Sequence, residues 1–160
     1  MKQLWAPWRM EYIKSDKSNE CIFCTLPASN NDEKNYILFK GTHSFVIMNT
    51  FPYNCAHLMV SPYRHINCIT KQNETERNEN IELTHECIKI LRAVIEPDGF
   101  NTGYNIGKVA GAGYDEHIHC HIVPRWEGDT NFMPVLGDVK VHPEHIRSTY
   151  EKLHPHFKKL

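Results

Sequence analysis

The segment His117-Ile-His-Cys-His-Ile-Val123 alternates polar and apolar residues with a period of two. In an extended strand, successive side chains leave opposite faces, so His117, His119 and His121 would share one side and Ile118, Cys120 and Ile122 the other. At a rise of about 3.3 Å per residue the imidazoles stand about 7 Å apart, close enough to act on one ligand. A single histidine on a strand is ordinarily an inert surface residue. Three in register opposite a clean apolar face form a candidate site, either for a metal held by three histidines or for an anion handled by the imidazoles directly.

The rest of the chain fits a sheet around this segment. Tyr36–Phe39 and Ser44–Met48 flank Lys40-Gly-Thr42 as a hairpin would, and His57–Ser61 reads as a third strand ended by Pro62. Asn101–Ile106 and His117–Val123 complete five strands. Between Glu76 and Glu96, apolar residues recur at Ile81, Ile88, Leu91 and Ile95, widened by Cys87, Ile90 and Val94, which is helical periodicity stopped by Pro97-Asp-Gly99. Pro143 suits the first turn of a closing helix with Ile146, Tyr150 and Leu153 on one face. Strands met in sequence with one long helix inserted and another at the end predict an α+β layer with a mainly antiparallel sheet. Residues 1–160 are expected to form a single domain, with 1–20 a polar arm anchored by Trp5, Trp8 and Tyr12, and 134–160 a C-terminal helix and tail.

Eighteen Lys and Arg against 19 Asp and Glu give a net charge of −1, which supplies no basic footprint for nucleic acid or acidic lipid. No membrane partner is expected, because no window reaches the roughly 18 apolar residues of a span. Met1-Lys-Gln-Leu-Trp lacks a secretory core, so a cytoplasmic location is expected and the six cysteines read as thiols or metal ligands.

Just upstream of the histidines, glycines at 107, 111 and 113 would let backbone N–H groups approach phosphate oxygens. Taken with them, His117-Ile-His-Cys-His-Ile-Val resembles the pattern of the histidine-triad (HIT) family, and the likeness continues through Pro124, Arg125 and Trp126. Asn105, Ala110-Gly-Ala-Gly113, Glu127-Gly-Asp-Thr-Asn-Phe-Met133 and Leu4-Trp-Ala-Pro-Trp-Arg9 are similar to the branch containing diadenosine-polyphosphate phosphorylases and related adenylyl-transfer proteins.

The resemblance implies a HIT-like fold and hydrolysis or transfer at the α-phosphate of a dinucleoside polyphosphate or related adenylate, through a covalent nucleotidyl-histidine. His119 would be the nucleophile and His121 would hydrogen-bond the scissile phosphate and bridging oxygen. Asn105, Gly111, Ala112 and Gly113 would hold phosphate charge. Asn49 falls where relatives place an Asp against the ribose, and Phe45, Ile47 and Phe51 would wall the adenine. Arg125 and Trp126 would close over a second nucleotide, or else pack as a surface cation–π pair. The family usually forms homodimers, here through the Ile81–Ile95 helix and a nearby strand edge.

Cys21-Ile-Phe-Cys24 has the spacing of half a zinc site, a redox pair or two free thiols. The resemblance supplies His65, in Pro62-Tyr-Arg-His65, and His117 as the remaining ligands. A closed Cys₂His₂ set would make the zinc structural. No organic cofactor is expected. Cys55, Cys68, Cys87 and Cys120 read as free buried thiols. His43, His85, His142, His145, His154 and His156 read as surface residues; His57 reads as core or surface, although the resemblance places it near the nucleotide side of the sheet. Two other functions fit the same residues: a nucleotide-binding regulatory protein with little turnover, and a three-histidine metalloenzyme. An RNA-binding module ranks last, since the aromatics are not interleaved with Lys or Arg.

Overall fold

The computed structural model describes residues 20–129 and 144–160. The N-terminal arm through residue 19, the Thr130–Met133 segment and Pro143 therefore lie outside the described residues. The elements are α1 (Ile22–Ala28), β1 (Ile37–Lys40), β2 (Ser44–Met48), β3 (Leu58–Pro62), α2 (Glu74–Ile95), β4 (Gly99–Tyr104), β5 (Cys120–Arg125) and α3 (Ile146–Phe157). All pairings are antiparallel, in the order β1-β2-β3-β5-β4. This is the expected α+β architecture. No helix among the described residues is long and apolar enough to cross a membrane.

Period-two alternation divides the sheet's two faces. Val46, Met48, Leu58, Val60, Cys120 and Ile122 turn toward α2 and α3, where Leu83, Cys87, Leu91, Tyr150, Leu153 and Phe157 complete the main core. Phe45, Ile47 and Met59 turn the other way and pack with Phe23 of α1. The β1–β2 turn shows why Gly41 stands where it does. Glu79 of α2 accepts the backbone N–H groups of Thr42 and His43 at 2.8 and 2.6 Å, and a Cβ on Gly41 would meet its Oε1 at 2.8 Å.

Helix α2 starts earlier than the apolar pattern implies because Asn73 and Glu76 form a reciprocal capping box. Its buried stripe runs through Asn80, Leu83, Cys87 and Leu91, while Ile81 is half-exposed, so Ile81 does not head the stripe. At its C-terminus the left-handed residue is Glu96, with φ of 47°, and Gly99 instead opens β4. Strand β4 ends at Tyr104, short of Ile106.

Strand β5 begins at Cys120, so His117 and His119 precede it and do not belong to one continuous strand with His121. The segment before β5 is held by a different partner, since the Ile118 N–H donates to the Ile66 carbonyl at 2.6 Å. It remains extended enough that all three imidazoles meet on the α1 side of the sheet, while Ile118 is buried. Helix α1, which holds the Cys-x-x-Cys motif, has no counterpart in the sequence patterns. Seven residues interrupted by Pro27 carry too little periodicity to read.

Candidate active site and metal cluster

His117, His119 and His121 are all buried, between 1% and 8% exposed, so they do not lie on a solvated strand face. Burial holds each imidazole below its ordinary pKa, and His117 and His121 fall to about 4. Each ring therefore carries one N–H and one lone pair at neutral pH, and hydrogen bonds decide which nitrogen is which. A carbonyl can only accept, so His119 donates Nδ1–H to the His117 carbonyl at 2.8 Å, and its lone pair lies on Nε2. His117 donates Nε2–H to the Pro62 carbonyl at 2.8 Å and keeps its lone pair on Nδ1.

His121 is oriented through a residue that sequence reasoning left unassigned. Its Nδ1 lies 2.9 Å from Nε2 of His57, which is buried and belongs to the site. His57 Nδ1 accepts the Tyr53 backbone N–H at 3.0 Å and faces Asn49 Nδ2 at 3.3 Å. Nε2 of neutral His57 therefore bears hydrogen and donates to His121 Nδ1, which leaves the His121 N–H on Nε2 at the site. Tyr53 lies against both rings, with centroids 4.7 Å from His57 and 5.3 Å from His121. Register places His121 between Met59 on β3 and Gly103 on β4.

Asn105 stands at the same edge, its Nδ2 3.2 Å from the Tyr53 hydroxyl, 3.4 Å from the Gly111 carbonyl and 3.5 Å from His121 Nε2. The glycine loop is a tight turn with Gly107 and Gly111 at φ of 87° and 88°. The Gly111 N–H donates to Lys108 O at 3.0 Å and the Ala112 N–H to Gly107 O at 3.4 Å. Both are thus used inside the loop, whereas the exposed Gly113 makes no such internal bond among the described residues. Asn49 is partly exposed, with Oδ1 accepting the Phe51 N–H at 2.8 Å. Phe45 and Ile47 are fully packed and Phe51 is exposed. Arg125 forms a bidentate pair with Asp129 and reaches Asn101, while Asp129 also accepts from Asn54 of the Pro52-Tyr-Asn54 turn.

A second cluster adjoins the first. One ligand atom from each of Cys21, Cys24, His65 and His117 lies within 4.8 Å of all the others. His117 Nδ1 is 3.3 Å from Cys21 Sγ and 3.5 Å from Cys24 Sγ, and His65 Nδ1 is 3.4 Å from Cys24 Sγ. Zinc bonds of about 2.3 Å to sulfur and 2.0–2.1 Å to nitrogen give a tetrahedron an S···N edge of about 3.5 Å. The four residues thus fit a tetrahedral ion, and the Pro62 carbonyl already presents His117 in the ligating tautomer. Arg64, beside His65, pairs with Glu76 at 2.7–2.8 Å, fixing this loop to the start of α2. The triad itself is not a three-histidine metal site: His117 turns Nδ1 to the cysteines, and His119 turns Nδ1 to a carbonyl.

Of the other cysteines, Cys87 and Cys120 are buried, but Cys55 and Cys68 are partly exposed. His43 and His154 are half-buried and His85, His145 and His156 exposed; His142 lies outside the described residues.

The buried triad, with each tautomer fixed by a neighbour and a Cys₂His₂ cluster behind it, defines a histidine-triad protein. The HIT domain family model matches residues 30–128, and the chain belongs to that family. It is 35% identical to an AP-4-A phosphorylase of Mycobacterium tuberculosis over 158 residues, 93% of this chain and 80% of that one. Its fold superposes on a Zn-bound histidine triad family protein from Mycobacterium smegmatis with a TM-score of 0.69 at 22% identity, covering 88% of this chain and 95% of the other. A hypothetical histidine triad nucleotide-binding protein from Sulfolobus tokodaii gives 0.67 at 24% identity, with 87% and 90% covered.

Proposed function

We propose that the protein cleaves dinucleoside polyphosphates at an α-phosphate through a nucleotidyl group carried on His119. The observation that carries this is the tether from His119 Nδ1 to the His117 carbonyl, which makes Nε2 the nucleophilic nitrogen without a separate base. Nε2 bonds to the α-phosphorus as the bond to the bridging oxygen breaks. For diadenosine tetraphosphate the departing group is ATP, whose terminal phosphate has a second pKa of about 6 and so leaves as an anion. His121 Nε2–H stabilises the charge building on that oxygen by hydrogen bonding and does not surrender its proton. Asn105 and the Gly113 N–H stabilise the phosphate oxygens, and Asn49 contacts the ribose. In the second step an oxygen of orthophosphate attacks phosphorus, the P–N bond breaks, ADP departs and His119 is neutral again.

The likeness to the mycobacterial phosphorylase supports orthophosphate as the second acceptor. Cys21, Cys24, His65 and His117 would hold a zinc ion whose contribution is structural, since all four positions are filled by protein. Six free cysteines suit a reducing, cytoplasmic setting. The open edge at β4 and the exposed Ile81 of α2 suit the family's homodimer. Single-domain organisation is part of the same proposal.

The test is incubation with diadenosine tetraphosphate, with and without orthophosphate, followed by chromatography. ADP and ATP formed only with phosphate are expected. AMP and ATP would make the protein a hydrolase, and no product with nucleotide still bound would support the regulatory alternative.

A further inference from the structure

Phe23 lies between the two cysteines of the metal cluster, and its ring faces away from solvent at 3% exposure. It stacks on the His119 imidazole at 4.5 Å between centroids and 20° between planes. Two further rings lie against Phe23, His117 at 5.4 Å and Tyr114, edge-on, at 6.0 Å. His121 meets the His119 ring edge-on at 4.8 Å. The hydrogen bond at Nδ1 tethers one corner of the His119 ring, which can still swing through small changes of its two side-chain torsions while that bond bends. Contact between two flat faces narrows the swing and so restricts the direction of Nε2.

We propose that Phe23 is a positioning residue for the nucleophile: the helix carrying the Cys-x-x-Cys motif holds the plane of His119, while the His117 carbonyl holds its tautomer. The inference rests on His119 being the nucleophile. It assigns the metal cluster a second consequence. Cys21 and Cys24 flank Phe23, and His117 lies two residues before His119, so the residues that grip an ion also carry both restraints on the imidazole. The restraint acts on orientation, so its loss should lower kcat and leave KM nearly unchanged, because misaimed attack is slow even when substrate is bound.

The experiment uses the zinc-loaded full chain and compares the parent with Phe23→Leu, which keeps apolar bulk and removes the flat face. Zinc content and melting temperature are measured first, then kcat and KM with diadenosine tetraphosphate and orthophosphate. The carbon-bound ring protons of His119 are followed by NMR, assigned by their disappearance in His119→Asn. We expect zinc content unchanged, KM within about twofold, kcat down about 10- to 100-fold, and His119 ring protons moved downfield as ring-current shielding is lost. Unchanged kcat, a rise in KM alone, or loss of zinc from Phe23→Leu would each overturn the proposal, the last by making Phe23 a structural residue only. If His119→Asn turns over as fast as the parent, the nucleophile assignment fails. If His119→Asn is inactive and Phe23→Leu is not impaired, only the positioning role fails.

Discussion

His57 Nε2 lies 2.9 Å from His121 Nδ1, and the Tyr53 N–H on the opposite side of the His57 ring fixes the direction of donation between them. His57→Phe keeps an aromatic body and removes the donor. His121 Nδ1 is then buried without its partner, which costs about 1–3 kcal/mol, and its Nε2–H is no longer enforced. The expected result is a fall in kcat of about 10- to 100-fold, smaller than the roughly 100- to 1,000-fold cost of deleting a transition-state hydrogen-bond donor outright, with a lower urea midpoint. Parent-like kcat would show that His57 does not orient the triad.

The same burial makes stability depend on pH. Burial first, and the neighbouring His119 second, hold His121 at about 4 in the folded protein against an ordinary 6.5. The unfolded chain therefore binds the proton more readily between these values. His121's contribution to stability is complete above about pH 6.5 and shrinks as pH falls toward 4. From 1.36 kcal/mol per unit, the loss by pH 4.5 is about 2–3 kcal/mol. Urea unfolding at pH 7.5 and 4.5 should show a smaller drop for His121→Gln than for the parent, and equal drops would contradict this account.

Metal content is directly countable. One zinc per chain is expected by elemental analysis of protein prepared without chelator, and Cys24→Ser should lose it. Without metal, burial and then Cys21 push the Cys24 thiol up to about 11, so loading zinc near pH 7 must displace thiol protons. Acidification of a weakly buffered solution on zinc addition measures that release. A silent titration would exclude thiolate ligation.

Glu96 caps α2 in the left-handed region, at φ of 47° and exposed to solvent. A side chain there costs roughly 1–2 kcal/mol, which glycine avoids. Glu96→Gly should stabilise by about 1 kcal/mol and raise Tm by about 2–4 °C in a chain of this size. An unchanged or lower Tm in scanning calorimetry would refute the strain argument.

Sequence pattern carried much of this architecture because period-two alternation is itself the physical cause of the two faces. Phe45, Ile47 and Met59 parted from Val46, Met48 and Leu58 by that rule alone. What stayed hidden was tertiary. His57 joins the site across 64 positions of chain; the family resemblance set it near the nucleotide side of the sheet, but nothing local to Cys55-Ala-His57 signals its bond to His121. Phe23 sits in a helix too short to announce itself. The start of β5 at Cys120 reflects competition from the Ile66 carbonyl, a partner that propensity does not contain. The glycine loop was legible as a turn, but the inward use of the Gly111 and Ala112 N–H groups depends on how the loop closes on the Gly107 and Lys108 carbonyls.

His121 meets Met59 on one side and Gly103 on the other, and alternates with Cys120 and Ile122 in the core. Triad and core side chains are therefore interleaved residue by residue along one ribbon. Deleting a single amino acid between Ile118 and Ile122 would exchange their destinations, turning an imidazole into the interior and an isoleucine toward the face lined by the triad. Descendants of this chain can lengthen or shorten loops beyond the sheet, but that five-residue stretch admits no change of length.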